Sequence, residues 1–161
     1  GETQLTSTTH AELFNFVTLR ERFNGLSNGQ RADLRRAAAP EDLRMTPALY
    51  RLLRGMKPNA PYLRVAFLLP WAKHQPKAAH FSAQCAKANI NEMRMFQIAR
   101  SDDPMDMIQL RRIAMQIEPH VEWNQFGKML WFWDKTHTKR EFIENYYLSQ
   151  YAKKEENHDN A

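Results

Sequence analysis

The sequence predicts an all-α protein made of two small helical-bundle lobes with about eight or nine helices. Three observations carry that expectation. Apolar residues recur at three- and four-residue spacing in one segment after another. Those segments open on Ser, Thr or Asn and stop at Pro or Gly, the usual punctuation of helices. No stretch shows the two-residue alternation of a half-buried strand, there is no internal repeat, and five glycines against eight prolines favour helices with sharp ends. Hydrophobic residues make up 43% of the 161 positions, enough to build a core.

The elements follow in order. Residues 1–8 are polar and read as frayed. Thr9 and Glu12 form a capping-box pattern for a helix reaching about Phe23, with Leu13, Phe16 and Val17 on its apolar side. Ser27 and Gln30 repeat the box before a helix over residues 31–39 that carries Arg35 and Arg36 and stops at Pro40. Thr46 and Pro47 start the next, with Leu49, Leu52 and Leu53 as its core side and Arg44, Arg51 and Arg54 nearby. Asn59 and Pro61 start an apolar helix whose one charge is Arg64, closed by Pro70. Residues 71–79, WAKHQPKAA, read as an exposed basic loop between a lobe at 1–70 and a second at 80–152. Lys73 and Lys77 make that loop a candidate nucleic-acid contact; it reads equally as a solvated linker with Trp71 tucked into the core.

In the second lobe, residues 80–88 form a weak helix. Residues 89–112 then read as a helical hairpin around the acidic turn at 101–104. Met95, Phe96 and Ala99 share one side of its first helix, and Arg94 lies on the other. Met107, Leu110, Ile113, Ala114 and Ile117 form one arc of its second helix; Arg112 points away from that arc and Arg111 sits at its edge. Asp102, Asp103 and Asp106 lie where the helix macrodipole favours acids, a simpler account of them than a Mg²⁺ site. Residues 123–134 are aromatic on more than one side, so that helix must bury several faces, in its own domain or against a partner. Thr138 and Glu141 cap a last helix, and residues 153–161 read as a disordered tail.

The chemistry to expect is binding rather than catalysis. There is no phosphate-binding glycine loop, zinc-protease motif or nucleophile elbow. The histidines are scattered, and the closest pair, His74 and His80, has no ligand spacing, so no metal and no cofactor is expected. The single cysteine, Cys85, rules out an internal disulfide, reads as a buried inert thiol, and suits a cytoplasmic compartment. No run nears the roughly 20 apolar residues of a membrane span. The amino end lacks a signal pattern, and Gly1 in place of Met reads as a trimmed start.

Net charge is +5, and it is segregated. Between residues 20 and 100, Lys and Arg outnumber Asp and Glu by fifteen to five; over 101–134 the acids lead by six to three. That distribution fits a face meeting a polyanion and other faces meeting protein, or simply a solubilising surface. Arginine forks suit phosphate oxygens, with affinity that falls as salt rises. A helix-turn-helix regulator would be poorly served by the acidic turn at 101–104.

Three blocks, in order, resemble a known family: RRAAAPEDLRMTPALYRLL at 35–53, NEMRMFQIARSDDPMDMIQLRR at 91–112 and KMLWFWD at 128–134. The chain is similar over about residues 31–148 to the CasB family, the small all-helical subunit of the type I-E CRISPR surveillance complex, Cascade. The resemblance implies a two-lobed subunit without catalytic activity, present in two copies packed head to tail beside the backbone and large subunits of the complex. It implies support for the guide RNA–target DNA hybrid and a path for the displaced DNA strand. Arg36, Arg94, Arg100 and Arg112 fall on arginine positions of the family and are candidate nucleic-acid contacts. Arg51 and Arg64 match basic positions but read equally as salt-bridge residues. Asp103 departs from the pattern, where relatives carry a basic residue, which counts against a contact from this turn. The competing expectation is a purely protein-binding helical adaptor that uses the aromatic helix at 123–134 and makes no nucleic-acid contact.

Overall fold

The computed structural model describes residues 15–159, and among them it has nine α-helices, two 3-10 turns and two strands of two residues each. The helices are α1 (Phe16–Asn24), α2 (Asn28–Arg35), α3 (Pro47–Leu53), α4 (Ala60–Leu68), α5 (Phe81–Lys87), α6 (Glu92–Arg100), α7 (Met105–Ile117), α8 (Trp123–Trp131) and α9 (Thr136–Asp159). The 3-10 turns are Pro40–Met45 and Leu69–Trp71; the strands are β1 (Lys73–His74) and β2 (His120–Val121). The all-α expectation holds. No helix among the described residues is long and apolar enough to cross a membrane.

Local capping explains most helix starts. Ser27 and Gln30 form a reciprocal box, each side chain bonded to the other's backbone N–H, at 3.1 and 3.0 Å. Asn59 accepts from the Tyr62 N–H at 3.0 Å and Asn91 from the Arg94 N–H at 2.9 Å. The box expected at Thr9 and Glu12 lies outside the described residues; α1 instead starts on Asn15, whose side chain accepts from the Thr18 N–H at 3.3 Å. Thr46 stands at the cap position of α3 but turns its hydroxyl back to donate to the Asp42 carbonyl. Thr138 caps nothing: α9 begins two residues earlier and buries it. Glu122 is the unforeseen cap, accepting from the Gln125 N–H at 2.7 Å to open α8.

The core is organised on α4. Tyr62, Leu63, Val65, Ala66, Phe67 and Leu68 are all buried, so the helix is apolar nearly all round, as an interior helix must be. It packs against the Pro40–Met45 turn, α7 and α8. Helix α8 buries Trp123, Phe126 and Leu130, and Trp133 follows just past its end. Gly127 is where α1 meets α8: a Cβ there would collide with the base of the Phe16 side chain. Helix α9 lies along α5 and α6, and sends Phe142 edge-on to Trp133 at 5.2 Å and the Tyr146 hydroxyl to donate to the Ile90 carbonyl at 2.6 Å.

Three expectations change. Residues 71–79 are not a free loop. β1 pairs in parallel with β2, the Gln75 N–H donates to the Val121 carbonyl at 2.8 Å, and the Trp123 indole N–H donates to the Ala72 carbonyl at 2.9 Å. One buried cluster, from Phe16 to Tyr146, includes residues on both sides of this segment. The chain is also helical from Lys153 to Asp159, where a disordered tail was expected. Finally, Arg64 is only 13% exposed at its side chain and faces inward. Its Nε donates to the Leu130 carbonyl at 2.6 Å and its Nη2 to the Trp131 carbonyl at 2.7 Å, supplying partners that the end of α8 lacks.

Candidate nucleic-acid interface

Helices α6 and α7 pack against each other through Met95 and Ile98 on one side and Met107, Leu110, Ile113 and Ala114 on the other. That burial fixes where the arginines emerge. Arg94 on α6 and Arg112 on α7 line the same narrow cleft of about 110 Å³, with Gln97, Ile98, Gln109 and Ile113 between them. Arg94 Nη1 donates to Gln116 Oε1 at 2.9 Å, which holds the guanidinium at the rim and leaves other N–H groups available. Arg112 is exposed and makes no hydrogen bond or ion pair with any described residue. The cleft thus brings two arginines from different helices together.

The other candidates scatter. Arg100 lies six residues beyond Arg94, about 240° around the helix. It folds over the Phe96 ring at 4.9 Å and lines a different groove with Met93, Gln97 and Tyr147. Arg36, the residue that follows α2, is exposed and pairs with Asp33 in that helix. Arg51 is exposed without a partner among the described residues; no salt bridge holds it. Lys73 and Lys77 are exposed at their side chains, although the Lys73 backbone is fixed by its N–H bond to the Pro119 carbonyl. Arg64 spends its Nε and Nη2 on carbonyls inside the protein, and burial lowers its pKa.

Arg111 shows why sequence neighbours differ. It donates to the Ala37 and Ala38 carbonyls and lies 4.3 Å over the Phe67 ring. Burial is the main cause of its lowered pKa, and the charge of Arg112 adds to it. The contact ties the segment just after Arg36 to α7. Arg20, Arg22, Arg31 and Arg44 likewise donate to carbonyls, of Leu69, Leu52, Leu26 and Pro58 respectively. The basic excess over residues 20–100 therefore overstates the charge free to meet a ligand. Arg54 and Lys57, in the run RLLRGMK broken by Gly55, are further exposed cations without a side-chain partner among the described residues.

The Asp106 carboxylate accepts from the Trp133 indole N–H at 3.1 Å and from the Met107 N–H at 2.7 Å, so it serves the core. No group of three or more His, Cys, Asp or Glu among the described residues is placed to hold a metal ion. The aromatic helix expected to serve an adaptor is consumed internally: Trp123, Phe126, Leu130 and Trp133 are buried, and Trp131 packs on Tyr62 at 4.7 Å.

Comparison with known proteins agrees with this architecture. The family model for CRISPR-associated protein Cse2 matches residues 30–147. The CRISPR system Cascade subunit CasB of Escherichia coli K12 is 34% identical over 155 residues, covering 86% of this chain and 96% of that protein. A chain in the crystal structure of Escherichia coli Cascade bound to a PAM-containing double-stranded DNA target superposes with a TM-score of 0.77 at 32% identity, over 84% of this chain and 97% of that one. The chain belongs to the CasB/Cse2 family of type I-E CRISPR Cascade subunits.

Proposed function

We propose that this protein is a non-catalytic subunit of an RNA-guided surveillance complex, where it holds nucleic-acid backbones while a guide RNA pairs with target DNA. The observation that carries the reading is the shared cleft of Arg94 and Arg112, two guanidinium groups from different helices at one opening. The solved relative, a Cascade chain in a DNA-bound complex, supports it. Its partners are the other Cascade subunits, a second copy of itself, the guide RNA, and the target DNA including its displaced strand.

The mechanism is electrostatic. Exchanging a DNA duplex for a guide–target hybrid is nearly balanced in energy, so modest backbone contacts decide its direction. Arginines at the cleft hold phosphates of the hybrid or of the displaced strand and slow re-annealing. They carry no sequence information, which base pairing to the guide supplies.

The test is Arg112→Ala in the assembled complex, with target affinity measured across a salt series. Affinity falls, and the salt slope drops by about one unit for the lost phosphate contact. Unchanged affinity and slope remove Arg112 from the interface. In a gel shift on single-stranded DNA, no binding at low salt, alone or in the complex, points instead to a protein-only adaptor.

A further inference from the structure

The surface at the start of α3 carries a second feature that the arginine cleft does not use. Helix α3 buries Ala48, Leu49, Leu52 and Leu53 and leaves Tyr50, Arg51 and Arg54 outside. Tyr50 is 47% exposed and Met45, at the end of the preceding 3-10 turn, 89%. The Tyr50 hydroxyl donates to the Arg44 carbonyl at 2.6 Å, which fixes the ring against the backbone instead of leaving it to rotate into solvent. Arg44, Met45, Pro47, Tyr50 and Arg51 line a shallow surface groove of about 590 Å³. Arg44 is itself tied to Glu41 and to the Pro58 carbonyl, so it serves as a wall.

Apart from Glu41, which is paired with Arg44 at the groove wall, the chain running from the groove onward is basic. Residues 44–58 hold four basic side chains and no acidic one. Arg51, Arg54 and Lys57 are exposed without a hydrogen bond or ion pair among the described residues. Arg54 sits in a left-handed conformation, φ 49°, at the end of α3, followed by Gly55 at φ 89°. An apolar groove with Arg51 in its lining, and Arg54 and Lys57 three and six residues further along the chain, suits a polyanion with flat apolar groups.

We propose that Tyr50, with Met45 and Pro47 beside it, is a stacking platform for the bases of an unpaired nucleic-acid strand, whose phosphates are met by Arg51, Arg54 and Lys57. A duplex offers no free base face, because its bases stack on one another; only a strand with open bases gains from an immobilised exposed ring. The platform is tolerant of sequence, since every base has a π-face. This deepens the function proposed above and rests on its nucleic-acid reading: it names the unpaired strand as the ligand of this part of the surface.

The experiment measures binding of a labelled oligothymidylate, an oligouridylate and an abasic oligonucleotide of equal length. It uses the purified full chain and the complex reconstituted with it, comparing wild type with Tyr50→Leu, Tyr50→Phe and Arg112→Ala. Tyr50→Leu weakens oligothymidylate binding about fivefold or more, with the salt slope kept, and leaves the abasic strand unaffected. Tyr50→Phe stays within about twofold of wild type. An equal loss on the uridylate supports a platform blind to the sugar; a loss on the deoxy strand alone supports it and assigns the DNA. Tyr50→Leu binding like wild type while Arg112→Ala is weakened overturns the platform and leaves the phosphate reading standing. Equal loss on the abasic strand, or a Tyr50→Leu chain that binds oligonucleotides normally but fails to enter the complex, also overturns it. No binding by any form overturns both.

Discussion

Arg64 and Leu130 lie 66 positions apart in sequence, yet the guanidinium Nε of the first donates to the carbonyl of the second at 2.6 Å. The link joins the central helix α4 to the end of α8, and Trp131 accepts a second bond from the same side chain. Asp134, at 3.9 Å and largely exposed, adds little. Arg64→Leu is therefore expected to lower stability by about 1–3 kcal/mol, since two carbonyls near the core lose charged donors. Chemical denaturation measures it. The salt slope of nucleic-acid binding stays at the wild-type value; a reduced slope in a fully folded variant assigns Arg64 to the interface.

Arg111 and Arg112 should separate cleanly. Arg111→Leu removes bonds to Ala37 and Ala38 and the contact with Phe67, so its thermal midpoint falls. Arg112→Ala changes stability by no more than about 0.5 kcal/mol, as an exposed and unpartnered side chain should. Thermal unfolding of the two variants side by side decides the assignment, and equal destabilisation contradicts it.

Gly127→Ala is expected to destabilise by about 1–3 kcal/mol, because the new methyl meets the Cβ and Cγ of Phe16, which cannot swing aside without moving α1. The double variant Gly127→Ala with Phe16→Leu is expected to recover part of the loss. A double-mutant cycle with no coupling would show that α1 does not press on α8 there.

What was legible in the sequence was local. The box at Ser27 and Gln30 and the helix start at Asn59 each need partners three residues away, and both stand as expected. Where two local partners competed, the reading failed, as at Thr46, whose hydroxyl prefers the Asp42 carbonyl. Long-range pairing was out of reach. Lys73 reads as loop until β2 arrives from 47 residues on, and Arg64 reads as surface until the end of α8 does. The same limit applies to the site. Helical angle separated Arg112 from Arg111, but only packing shows that Arg94 and Arg112 open on one cleft while Arg100 does not.

Cys85 is fully buried, and desolvation pushes its thiol up to about 12. The thiolate that would react is thus scarce at neutral pH as well as inaccessible. A thiol reagent should label the folded protein only as fast as it opens, with the rate rising alongside denaturant-induced unfolding. Labelling of native protein at the rate of a free thiol contradicts the burial.

Asp106 gives a pH dependence of defined sign. Burial raises its carboxyl pKa; its bonds from the Met107 N–H and the Trp133 indole oppose that rise without cancelling it. Between the unfolded and folded pKa values the folded state binds more protons than the unfolded one, so stability falls as pH rises. The contribution is fullest on the acid side and is lost through the folded pKa. Asp106→Asn removes that titration and keeps an acceptor for one of the two N–H groups. The variant's stability relative to wild type should therefore improve as pH climbs from about 4 to about 7, whatever its absolute value. Unfolding free energies measured across that range give the difference, and two parallel curves would show that the Asp106 carboxyl titrates alike in the folded and unfolded chain.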